Sequence, residues 1–248
     1  MTTHYVEQIM GMPVTLALRG PRERGSAAQT VWRDVVSSLR AADKTFSTFR
    51  LDSWISRLKR GEVSIQDCPA DVQEVLELGE RARLESKGAF DIRYAGTIDP
   101  SGVVKGWAVE RAARCLEGFG ADYCLSAGGD LVCWSDDDPW RIGIENPFAP
   151  EKVMAVVPIR AGAVATSGTV HRGAHIRDPR TRDAPAGLSS VTVIGPSLTW
   201  ADIDATAAYV QGSEAPQWLE TRPGRTAFIV WEDGSTETVS GPAADTRG

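Results

Sequence analysis

Histidine is scarce in this chain, and its four cysteines are not arranged for chemistry. Cys68, Cys115, Cys124 and Cys133 show no CxxC spacing and lie in apolar contexts, the pattern of buried thiols in a reducing compartment. Two of the three histidines stand four apart in HRGAH, but Gly173 between them and the loop-like surroundings argue against a helical zinc pair. No GxGxxG follows a strand and no GxxxxGK[ST] occurs, so Rossmann and P-loop folds would lack their phosphate-binding turns; GxSxG and HExxH are also absent. No Lys/Arg block is long enough to track a phosphate backbone, and the net charge is −6, which sets nucleic acid aside as a partner. No apolar run is long enough to span a bilayer, so no membrane insertion is expected. The start, MTTHYVEQIMGMPVTLALRG, lacks the basic, apolar and small-residue regions of a secretory signal, and the expected address is cytoplasmic.

What is present is ordinary globular composition, 42% hydrophobic and 24% charged residues. Residues 3–18 read as two short strands around a turn at Gly11–Pro13. Val31, Val35, Val36 and Leu39 recur at helical spacing, followed by a polar loop near Asp52 and Ser53. Val72, Val75, Leu76 and Leu78 mark a second helix that should stop with Gly88 as its C′ residue. GAFDIRYAGTIDPSG reads as loop or edge strand, leading into a third helix expected to end at Gly118 or Gly120. Short β-type runs follow, then a strand at Ser190–Ile194, a helix over SLTWADIDATAAYV, and a closing hairpin turned at Asp233–Gly234. Helices early and strands late predict an α+β fold, with residues 1–240 as one domain and 241–248 as a loose tail.

Four segments carry candidate chemistry. Lys105 follows the turn DPSG at a helix start, where free N–H groups and the helix dipole favour anions; a plain surface lysine has the same signature. Gly128 and Gly129 in AGGD are either a hairpin turn or backbone held close to a ligand. Thr166, Ser167, His171, His175 and Asp178 crowd into one run of strand ends and turns, where polar residues often carry function. Thr199 as N-cap would put Asp202 at the capping-box position. Alternatively, Asp202 and Thr206, four apart on one helix face, offer a carboxylate and a hydroxyl, hard oxygens of the kind Mg²⁺ accepts.

In order along the chain, MGM (10–12), TFSTF (45–49), GAFDI (88–92), DPSGVVKGWAVERAA (99–113), SAGGD (126–130), AVATSG (163–168), HIRDPRT (175–181) and ADIDATAAYVQG (201–212) resemble the ApbE family of FAD:protein FMN transferases. The resemblance implies a duplicated T-fold-like architecture of mainly antiparallel sheets with flanking helices, the flavin lying between the halves. It implies an enzyme that takes FAD as substrate with Mg²⁺, transfers FMN to a threonine of an acceptor protein and releases AMP. By the same resemblance Asp202, Thr206 and the Gly102 carbonyl are metal ligands. Met10, Phe49, Ala89, Phe90, Asp91, Asp99, Lys105 and His175 fall at FAD-contacting positions, and a histidine beside the phosphates, His175 before His171, is the expected base. The chain departs from the family in a shorter segment between Asp91 and Asp99, in Phe49 where tyrosine is common, and in SAGGD for the usual NAGGD. The rival readings are an FAD pyrophosphatase that uses water in place of the threonine, and a flavin-binding or flavin-carrying protein without turnover.

Overall fold

The computed structural model describes residues 1–168 and 176–244. The fold is α+β with antiparallel pairing throughout. Strands β1 (Thr2–Ile9), β2 (Met12–Arg19), β3 (Asp122–Ala127), β4 (Asp130–Trp134), β7 (Ala161–Gly168), β8 (Leu188–Gly195), β9 (Thr226–Trp231) and β10 (Thr236–Ser240) form one sheet in the order β1-β2-β3-β4-β7-β8-β9-β10. Strands β5 (Trp140–Asn146) and β6 (Ala149–Ile159) leave it as a separate hairpin. Alternation does the sorting: in β3, Tyr123, Leu125 and Ala127 are buried while Asp122, Cys124 and Ser126 between them are only half-buried.

Helices fill the two long connections. Between β2 and β3 run α1 (Ser26–Phe46), α2 (Trp54–Lys59), α3 (Ala70–Glu85) and α4 (Ser101–Ala113); between β8 and β9 run α5 (Leu198–Gln211) and α6 (Ala215–Leu219). Helix α1 buries the predicted stripe, Val31, Val35, Val36 and Leu39, and packs on α4, which packs on α5, which lies against β7 and β8. Leu16, Leu125, Val191, Val193 and Ile229 from the sheet meet Val109, Ile203 and Ala205 from these helices in one core.

Local details differ from the sequence expectation. Helix α3 ends in a Schellman motif, with the Gly88 N–H on the Arg83 carbonyl at 2.8 Å and the Lys87 N–H on Leu84 at 3.2 Å. The left-handed C′ residue is therefore Lys87, at φ 54°, and Gly88 is the residue after it. Helix α4 ends at Ala113, and a 3-10 turn over Arg114–Leu116 closes it before Gly118. The segment 88–100 holds no strand, only a 3-10 turn over Tyr94–Gly96, and α4 begins at Ser101. At Ser53 the polar loop becomes a helix start: the buried Ser53 hydroxyl accepts from the Ser56 N–H at 3.0 Å and caps α2.

Candidate functional site

Helix α5 is buried on nearly every side, from Leu198 to Val210, which explains its alanines: Ala201, Ala205, Ala207 and Ala208 let neighbouring elements approach closely. Two carboxylates, Asp202 and Asp204, are nevertheless inside it. A buried charge persists only when paired and hydrogen-bonded. Asp204 meets that requirement fully: Oδ1 accepts from Arg222 Nε at 3.1 Å and Oδ2 from Arg225 Nε at 3.0 Å. Asp202 does not. Its Oδ1 lies 3.1 Å from Lys105 Nζ, while Oδ2 is buried and accepts no hydrogen bond among the described residues.

Lys105 reaches Asp202 from α4 because the two helices nearly touch. A Cβ on Gly106 would lie 2.8 Å from the Leu198 carbonyl oxygen, 3.0 Å from Thr199 Cα and 3.2 Å from Asp202 Cβ. The same ammonium also pairs with Asp130 at the start of β4. Burial works against the Lys105 charge, but Asp202 and Asp130 outweigh it and hold the lysine above its ordinary pKa. Burial likewise drives Asp202 upward; Lys105 opposes the shift, and the Asp130 charge adds to it.

The capping-box reading of Asp202 is corrected here. Ser197, not Thr199, is the N-cap, accepting from the Trp200 N–H at 3.3 Å, and Thr199 donates its hydroxyl to Glu110 Oε2 at 2.5 Å. Asp202 lies beyond the capping positions and serves the interior. One turn on, Thr206 Oγ1 is 3.0 Å from Ser167 Oγ of β7.

These groups open onto a cavity of about 830 Å³ at one end of the sheet. Two hairpin turns form part of its wall. Ile9 pairs with Met12 across Met10 and Gly11, and Ala127 with Asp130 across Gly128 and Gly129; all four turn residues have positive φ, the I′ pattern whose twist suits tight hairpins. The Gly128 N–H on the Pro13 carbonyl, at 3.3 Å, ties the turns together. AGGD is thus a hairpin turn and a cavity wall at once.

The cavity gathers Met10, Phe49, Ala89, Phe90, Asp91, Asp99, Gly102, Lys105, Gly128, Gly129, Thr166, Ser167, Asp202 and Thr206, drawn from across the chain. Phe49, 96% exposed, stands at its rim. Asp99 is shaped locally, its Oδ1 accepting from the Ser101 N–H at 3.1 Å. Asp178 is the exception. It is not in the wall, and its carboxylate is taken by Arg180 Nη2 at 2.7 Å, which holds it below the usual carboxylate range. His171 and His175 lie outside the described residues.

Asp130 was not singled out by sequence. It is buried, its Oδ1 accepts from the Thr166 N–H at 3.1 Å, and it shares Lys105 with Asp202. The only signal was an acid directly after the glycine pair. Among the described residues, Asp43, Asp91, Asp99, Asp130, Glu145 and Asp202 line the cavity together with Lys105 and Arg177. Among the described residues no three His, Cys, Asp or Glu side chains converge as a metal cluster.

The sequence model of the ApbE family matches residues 10–99 and 95–230. The FAD:protein FMN transferase of Salmonella typhimurium is 34% identical over 151 residues, 55% of this chain and 43% of that protein. Its Escherichia coli K12 counterpart is 33% identical over 153 residues, 56% and 44% of the two chains. The match therefore spans less than half the length of these curated relatives. Among solved structures, the flavin transferase ApbE from Vibrio cholerae superposes with a TM-score of 0.83 at 21% identity, covering 97% of both chains. The apo form of the Pseudomonas stutzeri flavinyl transferase ApbE gives 0.82 at 23% identity, over 96% of this chain and 95% of that one. At such identities the superpositions establish the shared fold, and with the family match over most of the sequence they lead to one conclusion: the chain belongs to the ApbE family.

Proposed function

We propose that this protein transfers the FMN moiety of FAD to a threonine hydroxyl of an acceptor protein, with Mg²⁺, releasing AMP. The observation that carries the reading is the contrast within α5. Asp204 has both oxygens neutralised by arginine, whereas Asp202, two residues away, keeps a buried oxygen with no hydrogen-bond partner among the described residues, beside a large cavity. An orphaned buried carboxylate oxygen costs several kcal/mol unless a cation or donor completes it. With the Thr206 hydroxyl and the Gly102 carbonyl in the same wall, the donors are all hard oxygens and suit Mg²⁺ that keeps some of its water. When bound, the ion supplies charge neutralisation for diphosphate oxygens. The names of the Salmonella and E. coli relatives, FAD:protein FMN transferase, support the substrate and the protein acceptor.

The chain's own residues have separate tasks. Lys105 pairs with both Asp130 and Asp202 and holds the two carboxylates in place. Met10, Phe49, Ala89, Phe90, Asp91 and Asp99 frame the flavin dinucleotide together with the backbone of Gly128 and Gly129 and the polar groups of Thr166 and Ser167. In the transfer, the acceptor threonine oxygen forms a bond to the FMN-side phosphorus, the bridging P–O bond breaks toward AMP, and His175 takes the hydroxyl proton. Thr206 is unsuited to be the flavin carrier itself, because its hydroxyl is held against Ser167 in mid-helix. A cytoplasmic location completes the proposal; no helix among the described residues is long and apolar enough to cross a membrane. The test is incubation of protein, FAD and Mg²⁺ with and without an acceptor peptide. Transfer requires the peptide, and rapid release of FMN and AMP without it would identify a pyrophosphatase instead.

A further inference from the structure

Glu110 is absent from the cavity wall, yet a single oxygen of its carboxylate receives three hydrogen bonds from the start of α5. Oε2 accepts from Ser197 Oγ at 2.9 Å, from the Thr199 N–H at 2.9 Å and from Thr199 Oγ1 at 2.5 Å. The Thr199 amide is one of the first-turn donors that a helix leaves unpaired, and the Ser197 hydroxyl also caps the Trp200 amide. Glu110 therefore places a negative charge at the positive end of α5 while standing on α4, the helix that carries Lys105.

The geometry points to Glu110 as a positioning residue: its clamp on Ser197 and Thr199 sets the register of α5 against α4, and with it the separation of Lys105 from Asp202 and Thr206. Two contacts define that register. At Gly106 the helices meet backbone to backbone, which fixes how closely they approach. Gly106 brings no side chain of its own to lock the helices against sliding along the axis, and one turn further on Glu110 supplies one. Asp202 follows Thr199 by three residues on a rigid helix, roughly 4.5 Å along the axis, so a displacement at Thr199 is passed to the carboxylate almost undiminished. The Lys105–Asp202 contact of 3.1 Å has no slack for it.

This inference rests on the proposed Mg²⁺ and FAD site, and its test is arranged so that the two can fail separately. Full-length wild type, E110A and E110Q are compared by thermal unfolding, by FAD binding from flavin fluorescence with and without Mg²⁺, and by amide hydrogen exchange over residues 198–206. E110A should lose about tenfold or more of the Mg²⁺-dependent FAD affinity, as removal of supporting groups around a metal site does. Its Mg²⁺-independent affinity should hold, and exchange at 199–202 should quicken well below the unfolding temperature. E110Q retains an acceptor oxygen and should recover most of the loss. Equal Mg²⁺-dependent affinity in folded E110A and wild type would overturn the inference, as would unchanged exchange over 198–206. Should E110A not fold, E110D withdraws the oxygen by one methylene with the charge kept, and the same two outcomes decide. Wild type that binds FAD indifferently to Mg²⁺ would instead sink the functional proposal, and the exchange data would still judge Glu110.

Discussion

Replacing Gly106 by alanine sets two opposite effects against each other. In a helix interior alanine is favoured over glycine by about 1 kcal/mol, so at an open position the change would stabilise. Here the new Cβ would lie 2.8 Å from a backbone carbonyl and 3.0 Å from a Cα, atoms that cannot swing aside as a side chain would. Ordinary contact needs roughly 3.5 Å, so α4 and α5 must part by roughly half an ångström. Overpacking of this kind costs about 1–3 kcal/mol. The net expectation is a loss of about 1 kcal/mol, or ~2–4 °C in Tm for a chain of this size. Function should suffer more than stability. The parting acts directly between Lys105 and Asp202, now 3.1 Å apart, and displacements approaching ~1 Å can cost ~100-fold in rate. A drop of at least about tenfold in Mg²⁺-dependent FMN transfer is expected at a temperature where the variant is folded. Calorimetry and a transfer assay on the same preparation read both quantities. A G106A protein that melts above wild type and transfers at the wild-type rate would refute the backbone-contact argument.

Further outcomes follow from the neighbouring groups. T206V keeps the side-chain shape and removes one oxygen, so the Mg²⁺ concentration for half-maximal FAD binding should rise about tenfold, the worth of one polar contact to a charged group; titration of FAD binding with Mg²⁺ reads it directly. D204A leaves Arg222 and Arg225, both mostly buried, without their shared carboxylate and should cost about 3–5 kcal/mol in denaturant unfolding. The Mg²⁺ requirement of the folded fraction should not change, and a changed requirement would place Asp204 in the site. Burial pushes the Cys124 thiol up to about 12 and Cys133 up to about 11, and Cys68 is buried, whereas Cys115 is exposed. A thiol reagent at pH 8 should therefore modify Cys115 first and the others only as the protein unfolds. The sign is that of a raised thiol pKa: reactivity of Cys124 and Cys133 grows as the pH climbs toward those values.

The parts legible in the sequence were those governed by local periodicity. Val31, Val35, Val36 and Leu39 gave α1, short β-type runs between turns gave the late strands, and the Asp–Gly turn gave the Asp233–Gly234 hairpin. Helix α2, six residues long, is too short for a period to register, and its start depends on the Ser53 cap. Lys87 takes the left-handed position that composition would assign to Gly88, because the hydrogen bonds to Arg83 and Leu84 fix the turn there. Helix α5 is apolar on all faces, so its period carried little, and the Asp202–Thr206 spacing had to be recognised as a motif. Asp130 and Glu110 could not be found that way. Asp130 resembles any acid after a Gly-Gly turn until β7 supplies the Thr166 amide, 36 residues away, and Glu110 resembles an exposed helix acid until Thr199 arrives from 89 residues on. Such roles are tertiary.

The most direct measurement is the mass of a threonine-bearing acceptor peptide after incubation with FAD, Mg²⁺ and either wild-type protein or D202A. Wild type should add one FMN to the peptide with matching release of AMP, and D202A should leave the peptide unmodified. An equal mass gain with both proteins would contradict the role given to the orphaned Asp202 oxygen.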